Sequence, residues 1–196
     1  MTVTLIPADR FIETSNNRQA WLEARKNAVT ATEVAKASTP AGFIEAVSER
    51  LNPVELEPNG YMRFGSDNEG WISRYIKDEF GIMPNNWLIA SADSPRFMAT
   101  PDGLSLDHKR ISEVKTGGKE IASVPMQHRR QVGWQMYCTG AEECEYGFVL
   151  RKEVYGLYVA AWMEPRMFHI DRDDGLIADL LETAYLLLDA DERVLA

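Results

Sequence analysis

Apolar side chains recur at helical spacing over the first 80 residues, which predicts a series of helices there. Two of these helices begin at capping-box pairs, in which a hydroxyl side chain precedes a glutamate by three residues: Thr30 with Glu33, and Ser66 with Glu69. The stretch 52–61 is rich in Pro, Asn and Gly and is predicted to be a loop. The predicted helices are 17–26, one that opens at 29–34, 42–51 and 66–80.

The pattern changes beyond residue 85 to short apolar runs that are typical of β-strands. Helices are predicted over 125–139, which Pro125 opens and Gly140 ends, and over 175–188. This order of elements predicts an α/β protein in which a central mixed β-sheet is flanked by helices. The predicted strands are 87–92, 96–99, 111–115, 145–150 and 155–162, the last two joined at 151–153.

Length and composition indicate one ordinary globular domain. We expect a single domain over 1–196, with a helical part over about 1–85 and a sheet-centred catalytic part over about 86–196. The sequence shows no apolar run long enough to span a membrane and no signal peptide. Cys138 and Cys144 are spaced as neither a zinc knuckle nor a redox pair, and they are too few to ligate an iron–sulfur cluster. A reducing cytoplasm fits these features best.

The net charge limits the kinds of partner. A net charge of −9 argues against a general nucleic-acid coat protein, because phosphate contacts need Lys and Arg. It leaves room for a local basic channel, because the basic residues are clustered. The clusters are Arg18, Arg25 and Lys26; Lys109, Arg110, Lys115 and Lys119; and His128, Arg129 and Arg130.

An acidic pair near the middle of the chain is the strongest candidate for chemistry. In a strand, Glu113 and Lys115 point to the same side of the sheet, and a tight turn at Gly103 would bring Asp102 back beside Glu113. Two carboxylates can hold Mg²⁺ or Mn²⁺, which prefer oxygen ligands, and the lysine can orient or deprotonate a water. Taken alone, Pro-Asp-Gly is more often a turn and Glu-x-Lys a solvated strand face; their order and spacing favour the metal site.

Three further features have both a functional and a structural interpretation. Glu69 could add a metal ligand, or it could only close its capping box with Ser66. Arg25 precedes a helix N-terminus that carries the Thr32 hydroxyl, an arrangement that suits phosphate but is also common on protein surfaces. A glutamine row on the 125–139 helix could contact a nucleotide, or it could be the polar edge of a packed helix: Gln127, Gln131 and Gln135.

Taken together, these segments resemble the YqaJ/lambda-exonuclease family of the PD-(D/E)xK nuclease superfamily, the phage-type alkaline exonucleases. The resemblance covers roughly residues 20–140, in the family's order. The segments that carry it are WLEAR at 21–25, VTATEV at 29–34, GSDNE at 65–69, TPDGL at 100–104, EVK at 113–115 and QVGWQMYCTG at 131–140.

The resemblance implies a restriction-endonuclease-like core and a Mg²⁺-dependent exonuclease. Such an enzyme degrades one strand of duplex DNA from its free 5′ end to mononucleotides and leaves a 3′ overhang for recombination. Asp102, Glu113 and the Val114 carbonyl match the metal ligands, with Mn²⁺ as a substitute for Mg²⁺. Lys115 matches the residue that activates the attacking water, and Glu69 the acidic helix position that supports a second metal.

The resemblance also implies a pocket for the DNA end and a set of partners. Arg25, Thr32, Thr100 and Gln131 match the positions that hold the terminal 5′-phosphate, and Trp21 falls where such enzymes separate the strand end. The family implies a ring-shaped homotrimer around DNA, a single-strand annealing protein as partner, and the cytoplasm of a bacterial host with a phage or prophage gene.

The chain departs from the family pattern at two places. Gly133 stands where relatives often carry another glutamine, and Thr32 and Thr100 replace serines. Two alternatives stay open: an endonuclease on the same core, which would need no free 5′ end, and a catalytically dead DNA-binding module. The intact Asp102, Glu113 and Lys115 disfavour the second.

Overall fold

The computed structural model describes residues 5–53, 57 and 59–195, with the backbone alone over 191–195. The α-helices of this part are α1 (Arg18–Arg25), α2 (Ala31–Ala37), α3 (Pro40–Leu51), α4 (Gly60–Phe80), α5 (Met126–Thr139) and α6 (Asp174–Leu195). The strands are β1 (Phe11–Thr14), β2 (Val29–Thr30), β3 (Ile82–Pro84), β4 (Trp87–Ala90), β5 (Phe97–Ala99), β6 (Gly103–Ser105), β7 (Arg110–Gly117), β8 (Glu143–Val154), β9 (Leu157–Ala160) and β10 (Arg166–Asp171).

Most helix ends lie where local sequence signals predict them. The capping box of Thr30 with Glu33 is present at α2. Gly81 and Gly140 end α4 and α5 with positive φ angles of 69° and 78°, a conformation that favours glycine. Helix α3 starts two residues before the predicted 42, because Pro40 suits a first helical turn.

The predicted start of the fourth helix at Ser66 is wrong. Helix α4 begins at Gly60, because the Asn59 side chain accepts hydrogen bonds from the N–H groups of Tyr61 and Met62, both at 3.0 Å. Ser66 and Glu69 therefore lie inside the helix and form no capping box. The predicted loop over 52–61 lies partly outside the described residues, and its last two residues belong to α4.

The strands form two sheets rather than one central sheet. The first has the order β1-β4-β5-β2, in which β4 and β5 form an antiparallel hairpin. The second has the order β10-β8-β7-β6-β3, with β9 paired to β8. Each sheet contains parallel and antiparallel pairs, so the predicted mixed α/β class is confirmed.

The predicted turn at 151–153 is wrong, because these residues continue β8. The hairpin turns at Tyr155 and Gly156, where Val154 pairs with Leu157. Both turn residues have positive φ, 51° and 78°, as a two-residue hairpin turn requires. Strands β1, β2, β3, β6 and β10 have no predicted counterpart, because most are too short to show a pattern.

Helix α5 connects the parallel strands β7 and β8 and lies between two cores. Val132 and Met136 pack into the core of the second sheet, whereas Trp134 and Cys138 pack against α2, α3 and α6. Both cysteines are buried and free. No helix in the described ranges is long and apolar enough to cross a membrane.

Candidate active site

Asp102 and Glu113 are brought together by the pairing of β6 with β7. Gly103 lies opposite Ser112, and the Asp102 N–H donates to the Ser112 carbonyl at 3.0 Å. A Cβ on Gly103 would lie 2.3 Å from Ser112 Oγ, so glycine is needed for close approach of the strands. The prediction of a tight turn at Gly103 is therefore wrong. The Asp102 carboxylate nevertheless reaches β7, where its Oδ2 accepts from the Val114 N–H at 2.7 Å.

Glu113 is 1% exposed and is held by donors from two elements. Its Oε1 accepts from Lys115 Nζ, which lies on the same face of β7 as predicted, and from Gln131 Nε2 at 2.6 Å. Its Oε2 accepts from Gln135 Nε2 at 2.7 Å. A buried carboxylate is costly without such partners, so β7 and α5 together fix the position of this group.

The electrostatics of this centre favour an added cation. Burial raises the pKa of Asp102 well above its usual range and Glu113 adds to the rise, while Lys115 opposes it. Burial lowers the pKa of Lys115, but attraction to Glu113 and Asp102 outweighs burial and leaves that pKa raised. Lys115 is therefore an ammonium, and it balances only one of two adjacent carboxylates.

The oxygen donors of the centre fit a hard divalent cation. Asp102, Val114 and Lys115 line a cavity of about 490 Å³, and Glu69 of α4 lines the same cavity. The charge of Glu69 adds to the raised pKa of Asp102. Over the described ranges, no group of three or more His, Cys, Asp and Glu side chains gathers as a metal cage. Mg²⁺ does not need one, because it binds through one or two carboxylates, waters and substrate phosphates.

The four residues predicted to hold a 5′-phosphate line one small pocket beside the centre. Arg25, Thr32, Thr100 and Gln131 all contribute to its wall, and Gln135 joins them. Thr100 Oγ1 and Gln135 Oε1 are buried and have no hydrogen-bond partner among the described residues. Unpartnered buried polar atoms are rare in proteins, so these two atoms mark a place where a polar ligand fits.

Arg25 enters this pocket from a stacked position. Its guanidinium carbon lies 4.0 Å from the centroid of the Trp21 ring. Burial lowers the pKa of Arg25, which attraction to Glu33 partly offsets. Trp21 is half-buried, and its Nε1 has no partner in the part that the structure describes. Trp21 thus supports Arg25, and its role in separating a strand end stays a prediction.

Two glutamines of α5 face the site, whereas Gly133 on the same helix faces the core. A Cβ at Gly133 would lie 3.4 Å from Leu180 and 3.5 Å from Leu176, so position 133 faces α6. Gln131 and Gln135, one turn apart, both face Glu113. The sequence named Gln135 only within the glutamine row and left its role open, although its i, i+4 spacing from Gln131 places both on one helix face.

His128, which the sequence places only within a basic cluster, is a second neighbour of the centre on α5. Its Nδ1 lies 2.6 Å from the Tyr146 hydroxyl. Burial lowers the pKa of His128, and the charge of Lys115 lowers it further. His128 is half-buried and close to the carboxylate centre, and its i, i+3 spacing from Gln131 places it on the same face of the helix.

Comparison with known proteins finds one matching family and several similar solved structures. The YqaJ-like viral recombinase domain matches residues 20–142. No curated protein matches the chain in sequence. The alkaline exonuclease LHK-Exo from Laribacter hongkongensis is similar in structure, with a TM-score of 0.69, 25% identity and coverage of 90% of this chain and 94% of that chain.

Two further solved structures share the fold. LHK-Exo in complex with dAMP has a TM-score of 0.69, 24% identity and the same coverage, 90% of this chain and 94% of that chain. A phage-related exonuclease from Haemophilus somnus has a TM-score of 0.66 and 15% identity, over 86% of this chain and 95% of that chain. The fold of this chain is therefore that of the alkaline exonucleases.

Proposed function

Because the chain belongs to the YqaJ-like viral recombinase family, we propose that it is a Mg²⁺-dependent exonuclease acting on double-stranded DNA. It degrades one strand from the 5′ end to mononucleotides and leaves a 3′ overhang for recombination. The observation that carries the proposal is the network of Asp102, Glu113 and Lys115 directly beside the pocket of Arg25. The exonucleases that share the fold support it, as does the mononucleotide bound to LHK-Exo.

In this proposal the scissile phosphodiester lies in the cavity that Asp102 and Lys115 line. Asp102, Glu113 and the Val114 carbonyl would hold Mg²⁺, or Mn²⁺ as its substitute, and the ion would supply positive charge at the phosphate and lower the pKa of the attacking water. Lys115 donates from Nζ to the attacking water and holds it in line with the scissile bond. Glu69, exposed on α4, adds negative charge that supports a second cation.

The terminal 5′-phosphate binds beside the carboxylates in the pocket of Arg25. Arg25 supplies charge, and the hydroxyls of Thr32 and Thr100 donate hydrogen bonds. Gln131 donates one amide hydrogen to Glu113, and its second amide hydrogen can bind the phosphate, because a carboxamide has two donors. Gln131 thereby links occupation of the pocket to the position of Glu113.

We propose further that three copies form a ring around the duplex. Basic clusters would line the channel, whereas the acidic surplus of a −9 chain would face outward. The β8–β9 hairpin offers apolar contact surface, because Leu157 is 70% exposed. Light scattering should give about three times the chain mass of 22.2 kDa. A monomer at micromolar concentration would remove the ring and leave the nuclease proposal standing.

The family context leads us to propose the cellular setting as well. A single-strand annealing protein would take up the 3′ overhang, and the enzyme would act in the cytoplasm of a bacterial host with a phage or prophage gene. Co-purification of the two proteins from such a host tests this partnership.

The test of the proposed function compares a linear duplex with a covalently closed circle of the same sequence. An exonuclease degrades the linear duplex to mononucleotides in Mg²⁺ and leaves the circle intact. Cutting of the circle at a comparable rate would indicate an endonuclease on this core. Binding of DNA with no cleavage of either form would indicate a dead binding module.

A further inference from the structure

A second arginine, Arg151, lines the cavity of the carboxylate centre. It lies on β8, beyond the family match that ends at residue 142. Arg151 shares the cavity with Asp102 and Lys115. Among the described residues, this cavity and the pocket of Arg25 have no lining residue in common. Glu113 lies between them, because it accepts from Lys115 of the cavity and from Gln131 of the pocket.

Aromatic rings alone hold the Arg151 guanidinium. Its central carbon lies 4.1 Å from the centroid of the Tyr61 ring, 5.3 Å from that of Tyr158 and 6.0 Å from that of Phe64. The rings of Tyr61 and Tyr158 pack with centroids 5.2 Å apart. Within the described part of the chain, no residue forms an ion pair or hydrogen bond with this guanidinium. Its five N–H donors are therefore free for a ligand in the cavity.

Arg25 shows the same arrangement on the other side of Glu113, stacked on Trp21 at 4.0 Å. A stacked guanidinium keeps its planar fork in one orientation, which suits an oxyanion such as phosphate. Two such arginines with the carboxylates between them suit consecutive phosphates of one strand. The two outer phosphates would meet the arginines, and the middle phosphate would face Asp102 and Glu113.

We propose that Arg151 binds the phosphodiester on the 3′ side of the scissile phosphate, in the strand that is degraded. This inference rests on the proposed function. When the terminal 5′-phosphate lies at Arg25, the scissile phosphate faces Asp102 and Glu113. The phosphate that follows the scissile one in the strand then reaches Arg151. Tyr61 and Tyr158 are positioning residues in this proposal, since they orient the guanidinium.

The test measures DNA binding in Ca²⁺, whose looser coordination should support binding with little cleavage. The probe is a 5′-phosphorylated duplex with one neutral methylphosphonate, moved along successive linkages from the 5′ end. The wild-type protein should lose about tenfold in affinity when the neutral linkage is the one 3′ to the scissile phosphate, as loss of a charge-assisted contact predicts. Arg151→Ala should bind the unmodified duplex about tenfold more weakly and show no further loss at that linkage.

Two more variants complete the experiment. Arg151→Gln keeps a long side chain over the tyrosines without charge, and it decides the matter if Arg151→Ala does not fold. Lys152→Ala is the matched control, because Lys152 is the next residue on β8 and its side chain projects from the opposite face. Lys152→Ala should keep the position effect of the neutral linkage, whereas Arg151→Gln should lose it and lower the salt slope of binding by about one.

The outcomes separate this inference from the proposed function. Arg151 variants that retain the full position effect overturn the role of Arg151, even when the wild-type enzyme degrades linear duplex from its 5′ end. Failure of the wild-type enzyme to degrade linear duplex in Mg²⁺ overturns the proposed function itself. Loss of the position effect in Arg151→Gln, with normal behaviour of Lys152→Ala, supports the inference.

Discussion

The carboxylate centre and its two arginine flanks are built in opposite ways. At the centre, each oxygen of Glu113 is bonded within the protein, and Asp102 is tied to the Val114 N–H. On the flanks, Arg25 and Arg151 lie on aromatic rings, at 4.0 Å from Trp21 and 4.1 Å from Tyr61. The protein thus forms hydrogen bonds to the carboxylates that must stay in place. Among the described residues, it leaves the hydrogen-bond donors of the two arginines free, and these donors would meet DNA.

This difference indicates a division of labour. A buried carboxylate that is fixed by three donors suits chemistry, since small displacements of reacting groups are costly. A stacked arginine with free donors suits recognition, because its charge is in place before the phosphate arrives. Substitutions at the centre should therefore abolish turnover, whereas substitutions on the flanks should change which DNA is used.

The largest effect is expected at Asp102. Asp102→Asn keeps an oxygen that can accept from the Val114 N–H but removes the charge, so cleavage in Mg²⁺ should fall roughly a thousandfold. Because burial and Glu113 disfavour the charged form of Asp102, the variant should unfold at the same or a higher temperature than wild type. Initial rates and thermal unfolding check this, and normal activity would show that the site is assigned wrongly.

Lys115→Ala should abolish cleavage almost as completely while DNA binding in Ca²⁺ remains. The ammonium is the one described cation bonded to Glu113, and positioning of the attacking water is worth roughly a hundredfold or more. Lys119→Ala, at an exposed lysine just beyond the end of β7, is the control for loss of one channel charge, and it should keep cleavage once DNA is bound. If Lys115→Ala loses DNA binding by the same factor as cleavage, Lys115 serves DNA binding rather than positioning of the attacking water.

Arg25→Ala should erase a preference for phosphorylated ends. Charge-assisted contacts are worth about 1.5–3 kcal/mol, so duplex with a 5′-phosphate should be degraded at least about tenfold more slowly, and duplex with a 5′-hydroxyl little changed. Arg18→Ala, at the first residue of the same helix, is the control for a general channel contact, and it should keep the preference for the phosphorylated end. If Arg25→Ala slows both duplexes by one factor, Arg25 is a general contact and the phosphate pocket lies elsewhere.

Gln135→Ala tests whether α5 positions Glu113. The change removes the donor at 2.7 Å from Glu113 Oε2 in a buried place, and loss of such a supporting bond typically costs about tenfold in activity. The preference for a 5′-phosphate should persist, which separates positioning from recognition. Gln127→Ala, exposed at the start of the same helix, should behave as wild type in both assays.

The smallest expected effect is on the free energy of unfolding, through two histidines that lie away from the centre. His108 Nδ1 accepts from the Ile6 N–H at 2.9 Å, and burial lowers the pKa of His108. The folded protein then binds fewer protons than the unfolded chain, so the free energy of unfolding should fall as pH drops below about 6.5. His108→Gln should flatten this acid loss.

His169 should act in the opposite direction. A hydrogen bond to Glu145 at 2.9 Å raises the pKa of His169, so its contribution is present below about 6.5 and is lost as pH rises through the raised pKa. The effect should be small, because the His169 side chain is 47% exposed. Urea unfolding across pH measures both contributions, for wild type, His108→Gln and His169→Gln. If the free energy of unfolding of His108→Gln falls at low pH as much as that of wild type, other groups cause the fall.

The sequence predicts the centre well because strand geometry is simple. Alternation along 111–115 is enough to place Glu113 and Lys115 on one face, as they are found. The family resemblance then implies that Arg25, Thr32, Thr100 and Gln131 form one group, and all four line one pocket. Their predicted roles at metal and phosphate stay predictions.

Features that depend on tertiary contact could not be predicted in this way. Gly103 was expected to bend the chain, but it is required by the close approach of Ser112 across two strands. The capping box at Ser66 and Glu69 fits the sequence rule, yet Asn59 caps the helix seven residues before Ser66. Arg151 has no local signal at all, because its partners Tyr61 and Tyr158 reach it from α4 and β9.

The most direct test of the central claim follows the first nucleotide released. A linear duplex carries a label on the 5′-phosphate of one strand and is incubated with the protein and Mg²⁺. The label should leave as a mononucleotide from the earliest time points, and Asp102→Asn should release none above background. Release of the label in longer oligonucleotides, or release by Asp102→Asn at the wild-type rate, would contradict it.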